Sequence, residues 1–107
     1  LEIIMTAYYV VNYDITDEEL YAQYNPGLNH VTANTVAKHG GEILVATSEG
    51  QTLSGHCLHM KVLIQFPSRE AALAWDNDIE YRDAKLIRLA ATTNIDCYIV
   101  DKLVVPS

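Results

Sequence analysis

Hydrophobic and polar positions follow two periods along this chain, and the switches between them mark the elements. Residues 7–14, AYYVVNYD, alternate as Tyr8, Val10 and Asn12 against Tyr9, Val11 and Tyr13. That predicts a strand on which neither face is plainly polar. Thr16 stands where a helix N-cap belongs, with Asp17, Glu18 and Glu19 in a first turn whose dipole favours acids; Glu19 completes a capping box. Leu20, Tyr24, Leu28 and Val31, with the half-apolar Thr35, then recur at helical spacing. Asn25-Pro26-Gly27 interrupts the run, and because proline removes a backbone bond and crowds the preceding turn, a kink or short break is expected near Tyr24. The helix should stop at His39, where Gly40-Gly41 supplies a left-handed terminating residue.

Residues 42–47 read as a second strand, 48–55 as a polar hairpin loop with two glycines, and 56–66 as a third strand ended by Pro67. Ser68 is the expected N-cap of a helix over residues 68–77, which carries the single tryptophan, Trp75, placed to pack back onto the strand before it. Asp78 is expected to cap a further helix over residues 80–89, in which Tyr81, Ala84, Lys85 and Arg88 share helical spacing. Residues 90–94 read as a connector, 95–102 as the last strand and 104–106 as a short tail. The order β-α-β-β-α-β predicts an α+β domain of ferredoxin-like arrangement, one antiparallel sheet with its helices on one face.

The face away from the helices is then apolar whichever alternating set it takes: Tyr8 and Val10 or Tyr9 and Val11, Leu44 or Ile43 and Val45, Tyr98 and Val100 or Cys97 and Ile99. At about 25 cal/mol per Å2, leaving such a surface in water forgoes several kcal/mol. Patches of that kind mark interfaces. A homodimer in which two sheets pack face to face is expected, and about 800 Å2 per partner would suffice.

Composition narrows this further. A chain of 107 residues makes one domain, 1–107, long enough for a core, and at 50% hydrophobic it is not a disordered chain. Met5 reads as a natural start, with residues 1–5 expected to be disordered or an added segment and no signal-peptide pattern in them. The formal charge of −7, from 14 acidic and 7 basic residues, makes nucleic acid or an anionic membrane a poor partner. No apolar run reaches the roughly 20 residues a spanning helix needs. Cys57 and Cys97 do not make a disulfide framework, and reduced thiols in a cytoplasm are expected.

Ala37-Lys38-His39-Gly40-Gly41 before a strand, then FPSREAALAW, then Glu80-Tyr81 and residues 85–88, together resemble the bacterial proteins grouped as domain-of-unknown-function family thirteen-thirty, over residues 7–101. The resemblance implies a dimeric α+β barrel of ferredoxin-like subunits with a cleft between sheet and helices in each. It implies no particular reaction. The chain departs from the family at Asp76-Asn77-Asp78-Ile79, where an aromatic followed by Ser and Pro is frequent, so that loop is expected to be more acidic here.

Several residues are candidates for chemistry. His39 is either a general acid–base group, since imidazole titrates near neutrality, or a C-terminal cap suited to the helix dipole. Tyr24 and Tyr81 either orient or protonate a substrate carbonyl, or are core residues with their hydroxyls at an edge. Trp75 is a core residue or a ligand platform. Arg88 holds a ligand carboxylate by a bidentate contact, or pairs with Asp83 or Asp78 on the surface. His56, Cys57 and His59 offer at most two metal ligands on one face of a strand, too few for a site. The resulting expectation is a cleft lined by Tyr24, His39, Trp75, Tyr81 and Arg88 that takes a small carbonyl or carboxylate compound, without metal or organic cofactor. A binding, sensing or structural module with no chemistry is the alternative.

Overall fold

A computed structural model of the protein describes residues 5–24, 30–56 and 58–105. Its elements run β1 (Ala7–Ile15), α1 (Glu18–Tyr24), α2 (His30–Lys38), β2 (Glu42–Thr47), β3 (Met60–Phe66), α3 (Arg69–Asp76), α4 (Arg82–Ala91) and β4 (Thr92–Asp101). The four strands form one antiparallel sheet in the order β2-β3-β1-β4, the ferredoxin-like arrangement. In β1 the odd positions Ala7, Tyr9, Val11 and Tyr13 are buried under the helices, as are Val62, Ile64 and Phe66 of β3.

Local chemistry explains the element ends. Gly40 adopts a positive φ of 76° and terminates α2. Gly41 is needed for a different reason: a Cβ there would lie 2.7 Å from the Phe66 ring and 2.8 Å from Val36. Ser68 is extended and its hydroxyl accepts from the Ala71 amide at 3.1 Å, which starts α3 as the sequence predicts. Trp75 then meets Tyr9 edge-on at 5.0 Å and Phe66 at 5.7 Å, closing helix onto sheet.

Four boundaries differ from the sequence-based expectation. The N-cap of α1 is Asp17, not Thr16: the Asp17 carboxylate accepts from the Leu20 amide at 3.0 Å, while the Thr16 amide donates to the Ala91 carbonyl at the end of α4. β3 begins at Met60, not at residue 56, because His56 and the His59 amide both turn to the Asp14 carboxylate, at 3.0 and 3.1 Å. No connector separates α4 from β4. The Thr92 hydroxyl donates to the Arg88 carbonyl at 2.6 Å, and Asn94 absorbs the change of direction at φ 53°. Asp78 does not cap α4, whose N-cap position is Tyr81 without a side-chain cap bond. The predicted break at Asn25-Pro26-Gly27, and Leu28 and Cys57, lie outside the described residues.

The outer face of the sheet carries three rows across the strands. Val45, Leu63, Val10 and Tyr98 form one; Glu42, Gln65, Tyr8 and Val100 a second; Thr47, Lys61, Asn12 and Asp96 a third. The face is therefore apolar at its centre and polar along one margin. Tyr98 is 50% exposed and Val100 43%. Among the described residues no helix is long and apolar enough to cross a membrane.

Candidate functional site

The helix-facing side of the sheet holds a cluster of phenols around one guanidinium. α4 brings its small buried residues Ala84 and Ala91 against neighbouring elements, and Arg88, on the same face, follows them inward. Arg88 is only 2% exposed. α1 adds Tyr21 and Tyr24, both buried, and β1 adds Tyr9 and Tyr13. The Tyr24 and Tyr81 hydroxyls lie 2.9 Å apart, and those of Tyr13 and Tyr21 2.5 Å apart. Trp75 stacks on Tyr81 with ring centroids 4.3 Å apart and donates its indole N–H to the Thr35 hydroxyl at 3.0 Å.

Electrostatics follow from this burial. The Tyr9, Tyr13 and Tyr81 hydroxyls are pushed well above the ordinary phenol value, first by loss of water. Tyr21 is pushed up to about 12 by burial, moderated by its bond to Tyr13. At neutral pH these groups are neutral hydrogen-bonding partners. Arg88 remains a cation: burial pulls its pKa down, but the phenol oxygens of Tyr81, Tyr24 and Tyr9 more than offset that. Among the described residues, no carboxylate forms an ion pair with Arg88. Asp78 and Asp83, the surface partners weighed for it, are engaged elsewhere, with Lys38 and His39 and with Arg82.

The structure thus brings Tyr24, Trp75, Tyr81 and Arg88 together and places each at no more than 4% exposure. His39 stands apart from them. Its Nε2 lies 2.6 Å from Asp78 Oδ2, and its side chain is partly open to solvent. Asp78 is itself nearly buried, takes the Lys38 ammonium at 2.9 Å and accepts the Glu80 amide at 2.7 Å. The Lys38 hydrogen bond, followed by that of His39, holds its carboxyl far below the usual range, while Lys38 is raised in return.

Four participants were not among the residues expected to line the cleft. Tyr9 donates to Asp76 Oδ1 at 2.8 Å, and Lys85 Nζ lies 3.0 Å from the same oxygen. Cys97 pairs with Val11 in the register, lies on the helix-facing side of β4, and is exposed beside the Tyr9 hydroxyl. Asp76 and Lys85 also form part of the lining of a groove of about 490 Å3 at the α3–α4 turn, with Ile79, Arg82, Leu86 and Leu89. Away from this region, His59 Nδ1 accepts from the Ile15 amide and His56 Nε2 lies 3.0 Å from Asp14, while Cys57, the other half of the possible metal pair, lies outside the described residues. Among the described residues no three His, Cys, Asp or Glu side chains converge as a metal-binding group.

Fold and site together define a ferredoxin-like α+β domain with an arginine–tyrosine core beneath its helices. The chain belongs to the family named Domain of unknown function (DUF1330), which it matches over residues 6–103. No curated protein matches the sequence. Among solved structures it is similar to a protein of unknown function from Rhodopseudomonas palustris, with a TM-score of 0.71, 17% identity, and coverage of 94% of this chain and 85% of that one. It is similar also to a putative antibiotic biosynthesis monooxygenase from Nitrosomonas europaea (TM-score 0.66, 10% identity, 96% and 95% covered). A dimeric protein of unknown function and ferredoxin-like fold from Bacteroides fragilis matches with a TM-score of 0.58 at 13% identity, with 91% and 96% covered. At these identities the likeness is one of fold.

Proposed function

We propose that the protein is a homodimer, joined through the outer sheet faces, that binds a small carbonyl or carboxylate compound on the helix-facing side of each sheet. Arg88 is the anion contact, and Tyr24, Trp75 and Tyr81 are its neighbours. The observation that carries this is the buried Arg88 guanidinium, surrounded by neutral phenols and, among the described residues, without an acid paired to it. A buried cation of that kind is expensive to desolvate, and an incoming carboxylate would supply the missing charge with bidentate geometry. The dimer is supported by the apolar central row of the outer face, Val45, Leu63, Val10 and Tyr98, flanked by Tyr8 and Val100, and by the Bacteroides fragilis neighbour, itself dimeric.

Where chemistry accompanies binding, His39 is the acid–base group. The Asp78 carboxylate fixes one ring nitrogen and leaves the other to exchange a proton, without metal or organic cofactor. Calorimetric titration with a panel of small carboxylates and keto acids tests the binding, which Arg88→Met should abolish while the circular dichroism stays native. Any ligand found is then incubated in heavy water, and exchange of its hydrogens next to the carbonyl is followed by NMR. Exchange that disappears in His39→Gln, with the dimer intact, supports the acid–base role. Exchange retained in that variant removes His39 from it, and binding without exchange assigns a sensing role.

A further inference from the structure

The Asp76 carboxylate is held in an unusual way for a residue at the end of a helix. Its Oδ1 receives the Tyr9 hydroxyl from the central strand β1 at 2.8 Å and faces the Lys85 ammonium from α4 at 3.0 Å. Two donors on different elements thus converge on one carboxylate oxygen, and Lys85 binds the Asp76 backbone carbonyl as well, at 3.1 Å. Tyr9 is buried and lies close enough to Arg88 for the guanidinium to act on its hydroxyl. Asp76 is not buried to the same degree: about a quarter of its side chain, and of that of Lys85, remains accessible. Both line the groove at the α3–α4 turn, whose apolar part is Ile79, 72% exposed, together with Leu86, 57% exposed, and Leu89.

We propose that Asp76 is a resident stand-in for the ligand's carboxylate: it occupies the head-group position between Tyr9 and Lys85 and swings out when an amphipathic carboxylate enters along the α3–α4 groove. This inference rests on the binding function assigned above and narrows its ligand. Tyr9 and Lys85 present one hydroxyl and one positive charge to a single acidic group, and Arg88 acts on the Tyr9 hydroxyl without itself pairing with Asp76. Ile79, Leu86 and Leu89 offer an apolar shelf beside it, so the ligand is a monocarboxylate with a short hydrocarbon body rather than a bare small anion. Asp76 acts as a gate that sets affinity. It keeps the donors satisfied while the site is empty, and the ligand must compete with it.

The experiment titrates acetate and hexanoate into the wild-type protein, Asp76→Ala, Asp76→Asn, Leu86→Ser and Arg88→Met, with calorimetry and NMR as readouts. Asp76→Ala should bind hexanoate about ten-fold more tightly than wild type, the factor expected from no longer displacing one partly exposed ion pair and its hydrogen bond. Asp76→Asn, which keeps an acceptor for Tyr9 but drops the charge, should fall between the two. Hexanoate should exceed acetate by about ten-fold in wild type through partial burial of its added methylenes, and Leu86→Ser should remove most of that advantage without weakening acetate. Should Asp76→Ala fail to fold, Asp76→Asn decides alone. Carboxylate binding that needs Arg88 but is no tighter in the Asp76 variants overturns the gate and leaves the proposed function standing. A hexanoate advantage untouched by Leu86→Ser overturns the groove as the route. No carboxylate binding to any of these proteins overturns both the gate and the function it rests on.

Discussion

Replacing Arg88 by methionine should make the ligand-free protein more stable, or at worst leave it unchanged. The side chain is 2% exposed, and its neighbours are the phenols of Tyr81, Tyr24 and Tyr9. Taking a guanidinium out of water costs several kcal/mol even after relaxation, and a carboxylate partner is what ordinarily offsets this. Here the offset is the electrostatic attraction of the surrounding phenols, Tyr81 first, then Tyr24 and Tyr9, and even a full charge-assisted bond contributes only about 1.5–3 kcal/mol. Methionine fills a similar volume with a flexible apolar chain and leaves the Tyr24–Tyr81 hydroxyl pair intact. The balance favours the variant by roughly 1–3 kcal/mol, which for a domain of this size raises the melting midpoint by about 4–8 °C per kcal/mol. Arg88→Ala separates charge from volume: it removes the same cation but leaves a cavity, which costs about 2–5 kcal/mol for a large side chain and should more than cancel the gain. Urea unfolding of the three proteins, with equal slopes to establish that the unfolded states match, measures these differences. A loss of 2 kcal/mol or more in Arg88→Met would show that the guanidinium braces the core, and the case for a missing anion would fall with it.

Three further outcomes follow from the same coordinates. Gly41→Ala places a Cβ 2.7 Å from Phe66 and 2.8 Å from Val36, so overpacking should cost about 1–3 kcal/mol in denaturant melts; a change under 0.5 kcal/mol would mean the contact relaxes freely. Tyr98→Asp sets a charge in the apolar row with Val10 and Leu63 and should turn a dimer into a folded monomer by light scattering; a wild-type protein that is already monomeric at micromolar concentration refutes the sheet-face interface. In acid, Asp78 and Asp14 act in the same direction. Both carboxyls are held below the ordinary value of 3.8, Asp78 first by Lys38 and Asp14 first by Asn94, down to about 2 for the latter. Their stabilisation is complete above the unfolded value and is lost as pH falls through the folded one, so unfolding midpoints should drop between about pH 4 and pH 2. Asp78→Asn should already be weaker at pH 7 and show a shallower acid limb, and an unchanged limb would place the acid sensitivity elsewhere.

Much of the fold was legible because its punctuation is chemical. Gly40 had to be left-handed at the end of α2, Ser68 had to cap α3, and Pro67 had to end β3, and each does so in the structure. The boundaries that shifted are those where a side chain took a distant partner. Residues 56–59 carry strand-like composition, yet Asp14, more than forty residues earlier, captures His56 and the His59 amide and holds them out of the ladder. Thr92 and Asn94 read as loop formers, but a helix can pass straight into a strand when one hydroxyl closes the helix and one residue accepts a positive φ. Neither event has a local signature.

The site was legible in its helical half and hidden in its strand half, for a reason rooted in β1. Tyr24, Trp75 and Arg88 fall on helices whose polar faces are plain, and Tyr81 stands at the N-cap of α4, so their inward direction could be read from spacing. In β1 both alternating sets are tyrosine- and valine-rich, because one lies under the helices and the other runs through the apolar centre of the outer face. Alternation then fixes that two faces exist without saying which is which, since a slip of one residue exchanges them. Tyr9 and Tyr13 therefore could not be told from Tyr8 and Val10 until the register with β3 and β4 was known. Asp76 and Asp78 were visible as an acidic departure from the family pattern, but an acid before a helix has the same composition whether it caps that helix or reaches across the fold. Asp78 reaches His39 and Lys38, and Asp76 reaches Tyr9 and Lys85. Two acids that look like surface charge are thus the links that tie the α3–α4 turn to both candidate centres.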